Sequence, residues 1–280
     1  MNPFIEKEWL LEHLDDKNIR IADCRYNLGV SEEGYDSYVM DHIPGAVYFH
    51  LSKDLSGPIA AHGGRHPLPV IEDLEETFSL AGISEETTVI AYDGGESSYA
   101  ARLWWLLHYL GHEKVYILNG GYKAWKDAGF QTNDTIPTYK KTAFKVRLNN
   151  EIIASQEEVR KAVKAKNQET VIIDSRENKR YLGIEEPIDK KCGHIPGAIN
   201  KFWMEGFEDG RIKSIDEQEK RFKEIDKEKQ VIVYCGSGVT ATPNFIALKM
   251  AGYNNVKLYA GSFSDWISYE ENEVETGEND

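Results

Sequence analysis

The sequence is poor in cysteine and contains no long apolar run. Its three cysteines are Cys24, Cys192 and Cys235, and no two of them form a Cys-x-x-Cys pair. An odd, widely spaced set argues against a disulfide framework and against a thiolate zinc site. No stretch is apolar enough for a signal peptide or for a helix that crosses a bilayer. We therefore expect a cytoplasmic protein that needs no metal or other cofactor and keeps its thiols reduced.

Basic residues are scarce relative to acidic ones. Lysine and arginine total 33 against 47 aspartates and glutamates, which gives a net charge of −14. Binding to nucleic acid or to an anionic membrane calls for basic patches, so neither is expected as a partner. A chain of 280 residues suits two domains of about 100–150 residues each.

One ordered set of motifs occurs twice along the chain. Matched members lie between 141 and 152 positions apart, which indicates a tandem duplication with one domain per copy. The pairs are Asp23-Cys-Arg25 with Asp174-Ser-Arg176, His42-Ile-Pro-Gly45 with His194-Ile-Pro-Gly197, Asp93-Gly94 with Cys235-Gly236, and Gly120 and Trp125 with Gly261 and Trp266.

Short apolar runs alternate with amphipathic stretches in each copy. This order predicts α/β domains, each a mainly parallel sheet with helices on both faces. We place the first domain at 1–137, a polar linker at 138–148 and the second domain at 149–280, with a solvated acidic tail from about 270. The predicted strands include 19–23, 88–92, 115–118 and 231–234, and the predicted helices include 71–80, 99–110 and 244–252.

Cys235 lies where a predicted strand passes through a loop into a helix. Gly236 and Gly238 permit a tight turn there. The backbone N–H groups of such a turn, together with the helix dipole, favour an anion such as a thiolate, which is the nucleophilic form of cysteine. The first copy has Asp93 at this position and lacks the nucleophile, so we expect that domain to be catalytically silent and to form one wall of a cleft between the domains. Cys24 and Cys192 are interpreted as small buried hydrophobes.

Taken together, the paired motifs and Cys235-Gly-Ser-Gly-Val-Thr-Ala241 resemble the tandem-domain rhodanese family of sulfurtransferases. The resemblance covers about residues 4–266. It implies two rhodanese-like domains, of which only the second is catalytic. It also implies that Cys235 takes a sulfane sulfur from 3-mercaptopyruvate or thiosulfate as a persulfide. The persulfide would pass its sulfur to a thiol, to cyanide or to a thioredoxin-like protein.

Within that family the loop sequence bears on the sulfur donor. Thiosulfate is a dianion that loop cations would hold, whereas Gly236 and Ser237 carry no charge, so mercaptopyruvate is slightly favoured. The resemblance further implies that Arg180 binds the donor carboxylate and that Ser237 and His66 form a serine–histidine relay. The loop residues that would surround the donor are Gly236, Gly238, Val239 and Thr240.

At two positions the sequence differs from what a resemblance to the mercaptopyruvate-using members of the family implies. The relay's aspartate would fall at Ser52, with Asp54 two residues further on. A second carboxylate-binding arginine would fall within 185–191, where the only basic residues are Lys190 and Lys191. Arg65 and Arg102 are possible cleft cations, although no sequence argument places them near Cys235.

Three other functions are alternatives to a sulfurtransferase that uses mercaptopyruvate. A cysteine phosphatase needs an arginine six positions after its cysteine, and this chain has Ala241 there, so that function is excluded. A thiosulfate sulfurtransferase and a non-catalytic sulfur-carrier or binding module both stay open. The residues that both copies share, among them His42 and His194, are expected to serve folding, because they persist in the silent copy.

Overall fold

The alternation of strands and helices builds two α/β domains in the computed structural model, which describes residues 2–165 and 169–278. In the first domain five parallel strands lie in the order β1-β5-β4-β2-β3. Its strands are β1 (Phe4–Ile5), β2 (Ile19–Asp23), β3 (Ala46–Tyr48), β4 (Thr88–Tyr92) and β5 (Val115–Leu118). Its helices are α1 (Lys7–Glu12), α2 (Glu33–Met40), α3 (Ile71–Leu80), α4 (Ser98–Tyr109) and α5 (Gly121–Asp127).

The second domain repeats this plan with four parallel strands in the order β11-β10-β6-β7 and adds an antiparallel hairpin, β8-β9. Its strands are β6 (Thr170–Asp174), β7 (Ile199–Asn200), β8 (Phe207–Glu208), β9 (Arg211–Ile212), β10 (Gln230–Tyr234) and β11 (Val256–Leu258). Its helices are α6 (Gln156–Ala165), α7 (Asn178–Tyr181), α8 (Ile215–Arg221), α9 (Thr242–Met250) and α10 (Ser262–Trp266), with short 3-10 turns at Asn150–Ile152 and Trp203–Gly206.

The central strands β4 and β10 explain where the two matched loops lie. Each pairs with a strand on both sides and is almost entirely buried, which is why its sequence is a continuous apolar run rather than an alternating one. Asp93 follows β4 and Cys235 follows β10. Both residues therefore stand at the carboxyl edge of a parallel sheet, where α/β folds bind their ligands.

The domains are joined by an apolar core that they share. Helix α4 of the first domain packs against α9 of the second. The rings of Trp104 and Phe245 lie 6.4 Å apart, and one buried cluster runs from one domain into the other. This shared core fixes the cleft between the domains.

Several elements of the first domain agree closely with their predicted bounds. Strands β2, β4 and β5 and helix α3 have the predicted bounds. Helix α2, however, is not among the predicted helices. Gly34 in its first turn weakens the helical pattern in the sequence. A Cβ there would overlap the carbonyl oxygen of Arg25, so close packing requires the glycine.

The acidic end is hydrogen-bonded to the second domain, although its glutamate side chains are exposed to solvent. The N–H of His194 donates to Glu275 O at 2.8 Å, and the N–H of Glu275 donates back at 3.0 Å. The indole of Trp266 donates to Glu273 O at 2.8 Å. In the first domain, His42 and Asn133 exchange the same pair of backbone bonds. Residues 270–278 thus belong to the repeated fold, and residues 279–280 lie outside the described residues.

Candidate active site

The sulfur of Cys235 is buried at the start of the loop that leads into α9. The side chain is 1% exposed, and Sγ accepts a hydrogen bond from the N–H of Gly238 at 3.2 Å. Gly238 has a φ of +76°, and a Cβ there would overlap the carbonyl oxygen of Ala260, so this turn requires glycine. The turn thus directs one backbone N–H, that of Gly238, at the sulfur, and such an N–H interacts favourably with an anion.

Helix α10 holds the other side of this loop. The N–H of Cys235 donates to Ser262 Oγ at 3.1 Å. The N–H groups of Phe263 and Ser264 donate to Cys235 O and Gly236 O, each at 3.0 Å. These bonds fix the backbone of Cys235 to a second element of the same domain.

The matching loop in the first domain encloses a carboxylate. Asp93 accepts hydrogen bonds from the backbone N–H groups of Gly95 and Ser97 on one oxygen and of Tyr99 and Ala100 on the other, at 2.8–3.3 Å. Burial raises the pKa of Asp93, while these N–H groups act in the opposite direction. The loop is therefore an anion-binding turn, and the carboxylate of Asp93 occupies its anion position.

A segment of the first domain crosses onto α10 and brings side chains to Cys235. The N–H of Gly63 donates to Asp265 Oδ1 at 2.7 Å, and the N–H of Arg65 donates to Ser264 Oγ at 3.1 Å. This anchoring positions Arg65 and His66 over the loop of the second domain.

Ser237 and His66 form the predicted pair across the domain boundary. Ser237 Oγ lies 2.8 Å from His66 Nδ1, and both residues are buried. Burial is the largest cause that lowers the pKa of His66, to about 4, and the guanidinium groups of Arg102 and Arg65 lower it further. His66 is therefore a neutral imidazole near pH 7.

The relay has no carboxylate behind its histidine. Ser52 Oγ lies 2.8 Å from the hydroxyl of Tyr26, and Asp54 accepts the N–H of His50 at 2.7 Å. Among the described residues, no carboxylate is hydrogen-bonded to His66. Asp54 therefore does not replace the aspartate that the resemblance implied at position 52.

Two arginines stand above the loop, one from each domain. A Cβ at Gly236 would lie 2.7 Å from Arg65 Nη2 and 3.4 Å from Arg180 Nη2. Asp189 lies between them, paired with Arg65 Nη1 and bonded to Arg180 Nη2 at 2.9 Å. Glu186 accepts three further bonds from Arg180, at 2.8, 3.1 and 3.2 Å. The loop itself is neutral, as predicted, but charged side chains of both signs surround it.

Arg102, on α4, is a third cation and is fully buried behind the loop. It donates to Gly238 O at 3.1 Å, to His66 O at 3.3 Å and to Leu55 O at 3.4 Å. Burial lowers the pKa of Arg102 to about 10, and a negative charge on Cys235 opposes this shift. In the described part of the chain it makes no ion pair, and a negative charge on Cys235 is the one charge that acts on it electrostatically.

Several sequence-predicted residues lie outside the cleft. The side chain of Val239 packs in the shared apolar core, and Thr240 is half-buried beside it. Lys190 and Lys191 are exposed. Cys24 is buried as expected, but Cys192 is exposed, since its loop carries few apolar residues to cover it.

The motifs shared by both copies make structural contacts. Arg25 pairs with Asp23 and Arg176 with Asp174, each at 2.6 Å. His42 stacks on Tyr38 at 4.2 Å, and His194 stacks on Tyr181 at 3.9 Å. These contacts agree with the expectation that the shared residues serve folding.

A cleft of ≈ 600 Å³ opens between the domains and reaches the catalytic-loop candidate at Ser237, two residues after Cys235. Its lining includes Tyr26, Ser52, Ile59, Arg65, His66 and Ser237. A larger cavity of ≈ 1190 Å³ surrounds the Asp93 loop, which carries no thiol. Chemistry rather than size identifies the smaller cleft as the candidate site. Within the described residues, no group of three or more side chains could hold a metal ion, and no helix is long and apolar enough to span a membrane.

Comparisons with known proteins agree with this geometry. The family model for a rhodanese-like domain matches the chain twice, at residues 6–128 and 155–269. A protein of Pseudomonas aeruginosa named a probable 3-mercaptopyruvate sulfurtransferase is 34% identical over 275 residues, which cover 96% of each chain. The thiosulfate sulfurtransferase of Bos taurus is 30% identical over 277 residues, which cover 94% of this chain and 91% of that protein.

A solved structure shows the same arrangement of domains. The crystal structure of SseA from Escherichia coli, described with the rhodanese fold of 3-mercaptopyruvate enzymes, superposes with a TM-score of 0.82. The two sequences are 33% identical, and the match covers 94% of this chain and 100% of the other.

Proposed function

The chain belongs to the rhodanese family of sulfurtransferases, and from this premise we propose that Cys235 carries the transferred sulfur as a persulfide. The observation that supports this most is the position of Cys235 Sγ, which accepts the Gly238 N–H and faces Arg102. A persulfide is an anion like a thiolate, so the same N–H groups and the same guanidinium stabilise the enzyme before and after sulfur transfer. The first domain, with Asp93 in the matching loop, serves as a catalytically silent wall.

In the first half-reaction the Cys235 thiolate attacks the sulfur of the donor. With mercaptopyruvate a new S–S bond forms as the donor C–S bond breaks, and the electron pair of that bond leaves on the enolate of pyruvate. One proton converts the enolate to pyruvate. Cys235 becomes a persulfide, and no metal or redox cofactor is needed. Splitting the transfer into two steps is the usual gain of covalent catalysis.

Ser237 and His66 are placed to assist the departing enolate. With its proton on Nδ1, His66 donates to Ser237 Oγ, and the serine hydroxyl then donates to the donor's carbonyl oxygen. Because the pKa of His66 is held at about 4, the imidazole stays neutral and acts as a hydrogen-bonding group. Without a carboxylate behind it, we expect only a moderate contribution from this pair.

In the second half-reaction an acceptor attacks the outer sulfur of the persulfide. The S–S bond breaks, its electron pair returns to Cys235 as a thiolate, and the acceptor leaves with the sulfur. Cyanide becomes thiocyanate, and a thiol becomes a persulfide. A thioredoxin-like protein is a further acceptor that we propose, and it would meet the acidic surface through basic residues. A free catalytic thiol suits a reducing compartment such as the cytoplasm.

For the donor we propose a slight preference for mercaptopyruvate over thiosulfate. The charges around Gly236 and Ser237 are nearly balanced, since Arg65 and Arg180 meet the carboxylates of Glu186 and Asp189. A monocarboxylate adds one negative charge to this network, whereas thiosulfate adds two. The thiosulfate enzyme proper is the second candidate, supported by the two arginines themselves, which suit any oxyanion.

The half-reaction can be tested without an acceptor. Mixed with excess mercaptopyruvate, the protein should release about one pyruvate per chain in a burst and keep one sulfur that cyanide converts to thiocyanate. Thiosulfate should give the matching burst of sulfite with a lower kcat/KM. Absence of a burst with either donor would refute the enzymatic proposal in favour of a carrier or binding module, and a higher kcat/KM for thiosulfate would reverse the donor assignment.

A further inference from the structure

Asp189 occupies an unusual place over the Cys235 loop. Its side chain is 2% exposed and binds the guanidinium groups of both Arg65 and Arg180. A Cβ at Gly236 would lie 3.5 Å from its Oδ2. One carboxylate of the protein itself therefore sits between two cations from different domains, directly above the nucleophile's loop.

The two arginines do not depend on Asp189 equally. Arg180 also binds Glu186, whose side chain is fully buried and also pairs with Arg176 at 3.2 Å. Arg65 makes its ion pair, among the described residues, with Asp189 alone. If Asp189 moved away, Arg180 would keep one partner, and Arg65 would present its whole guanidinium to the cleft.

The segment that carries Asp189 is suited to such a move. It lies between α7 and β7, and residues 182–198 contain no helix or strand. Its neighbours Ile188 and Lys190 are exposed. The N–H groups of Ile188 and Asp189 donate to Glu186 Oε1 at 3.0 and 2.9 Å, whereas the Asp189 carboxylate is bound by the two arginine side chains. Arg65 is held by the crossing segment on α10, so the carboxylate rather than the cation is the more easily displaced partner.

We propose that Asp189 is a built-in competitor that occupies the anion-binding position of the cleft, and that the donor's carboxylate binds by displacing it. This inference rests on the proposed function of the Cys235 cleft. The exchange replaces one carboxylate with another, so the charge of the arginine pair stays balanced. Asp189 thereby sets the donor's KM and rejects anions that cannot pair with both guanidinium groups.

Alkylation of Cys235 tests this without any sulfur donor. In a Cys192→Ser background, which removes the exposed thiol, the rates of Cys235 modification by anionic iodoacetate and neutral iodoacetamide are compared by peptide mass spectrometry. In Asp189→Asn we expect the iodoacetate-to-iodoacetamide rate ratio to rise about fivefold or more, because two guanidinium groups become free to bind the anionic reagent. The KM for mercaptopyruvate should fall by a similar factor with kcat nearly unchanged.

Glu185→Gln is the matched control, since it removes the same charge from the same segment at an exposed residue that pairs with Lys179. It should leave the ratio unchanged. A ratio that falls or stays constant in Asp189→Asn, with a raised KM, would mean that Asp189 only orients the arginines and would overturn the proposal. Should the asparagine variant fail to fold, Asp189→Ser must show the same rise. Failure of sulfur transfer itself leaves the alkylation ratio measurable.

Discussion

In the first domain the loop after β4 points four backbone N–H groups at the carboxylate of Asp93, whereas in the second the loop after β10 presents one at the sulfur of Cys235. The carboxylate of Asp93 permanently accepts the hydrogen bonds of its loop. Cys235 leaves room for an anion that changes during a reaction. The comparison indicates that the anion-binding turn belongs to the fold, and under the proposed function the group placed in it decides whether a domain is catalytic.

The side chains around the two loops differ as well. All four hydrogen bonds to Asp93 come from the backbone. Around Cys235, by contrast, Arg102 lies behind the loop, and Arg65 and Arg180 lie above it. Two of these three cations come from the first domain. The domain without a nucleophile therefore contributes charge to the other domain's site.

Replacing the nucleophile should have the largest effect. Cys235→Ser keeps the size of the side chain and loses the thiolate, so kcat/KM for either donor should fall by a factor of about 10³ or more. Steady-state thiocyanate formation measures this. Cys192→Ser is the control and should retain full activity, since Cys192 is exposed and not part of the loop. Equal losses in both variants would break the assignment of the second loop as the catalytic one.

Removing the buried cation should have the next largest effect. Arg102→Met should lower kcat/KM by about 10- to 100-fold, because the anionic form of Cys235 loses the charge that it faces. The rate of Cys235 alkylation by neutral iodoacetamide at pH 7 should fall in parallel. Arg102→Lys keeps a charge and should recover part of both rates. An unchanged alkylation rate in the methionine variant would show that Arg102 is structural only.

The histidine should matter less and should also affect acid stability. His66→Gln should lower kcat/KM by about tenfold. Because the pKa of folded His66 is lowered to about 4, against roughly 6.5 when unfolded, its contribution to stability is complete above pH 6.5. That contribution is lost as the pH falls toward 4. In urea titrations between pH 7 and 4, the free energy of unfolding should decrease less with falling pH in His66→Gln than in the wild type.

Two results would contradict this account of His66. If the free energy of unfolding of His66→Gln had the same pH dependence as that of the wild type, protonation of the buried His66 imidazole would not destabilise the fold. An equally shallow loss in His13→Gln, at the end of α1 and outside the cleft, would show that the effect is not specific to His66.

Altering the silent loop should have the smallest effect on catalysis. Asp93→Ala leaves four buried N–H groups without their acceptor, so the free energy of unfolding should fall by about 2–4 kcal/mol. The kcat/KM of the folded protein should stay within about twofold, since no step of the reaction uses Asp93. Denaturant titration and activity corrected for the folded fraction measure the two quantities. A large loss of activity in fully folded protein would show that the first domain's loop is not silent.

The sequence allowed the framework of the site to be predicted from local patterns. The apolar run, the cysteine and the glycines of 231–238 determine strand, nucleophile and turn within a few residues, and the duplication identified Asp93 as the counterpart. The Ser237–His66 pair was predicted from resemblance and lies within hydrogen-bond distance. The site residues themselves nevertheless stay proposals.

The positions of the charged side chains around the Cys235 loop depend on how the domains pack, and no local sequence pattern encodes that packing. Arg102 reaches Gly238 because α4 lies on α9, and Arg65 reaches the loop because residues 62–66 cross onto α10. Asp189 and Glu186 lie where an arginine had been expected, and their partners are distant in sequence. The order of residues 270–278 rests on backbone hydrogen bonds, which acidic side chains do not reveal.

The central claim, that sulfur travels on Cys235, can be tested directly by mass spectrometry of the protein after incubation with mercaptopyruvate and removal of excess donor. We expect a mass increase of about 32 Da, one sulfur atom, on the peptide containing Cys235, and its disappearance after cyanide is added. The peptides of Cys24 and Cys192 should be unmodified. A missing adduct, or one carried by either of those two cysteines, would contradict the account.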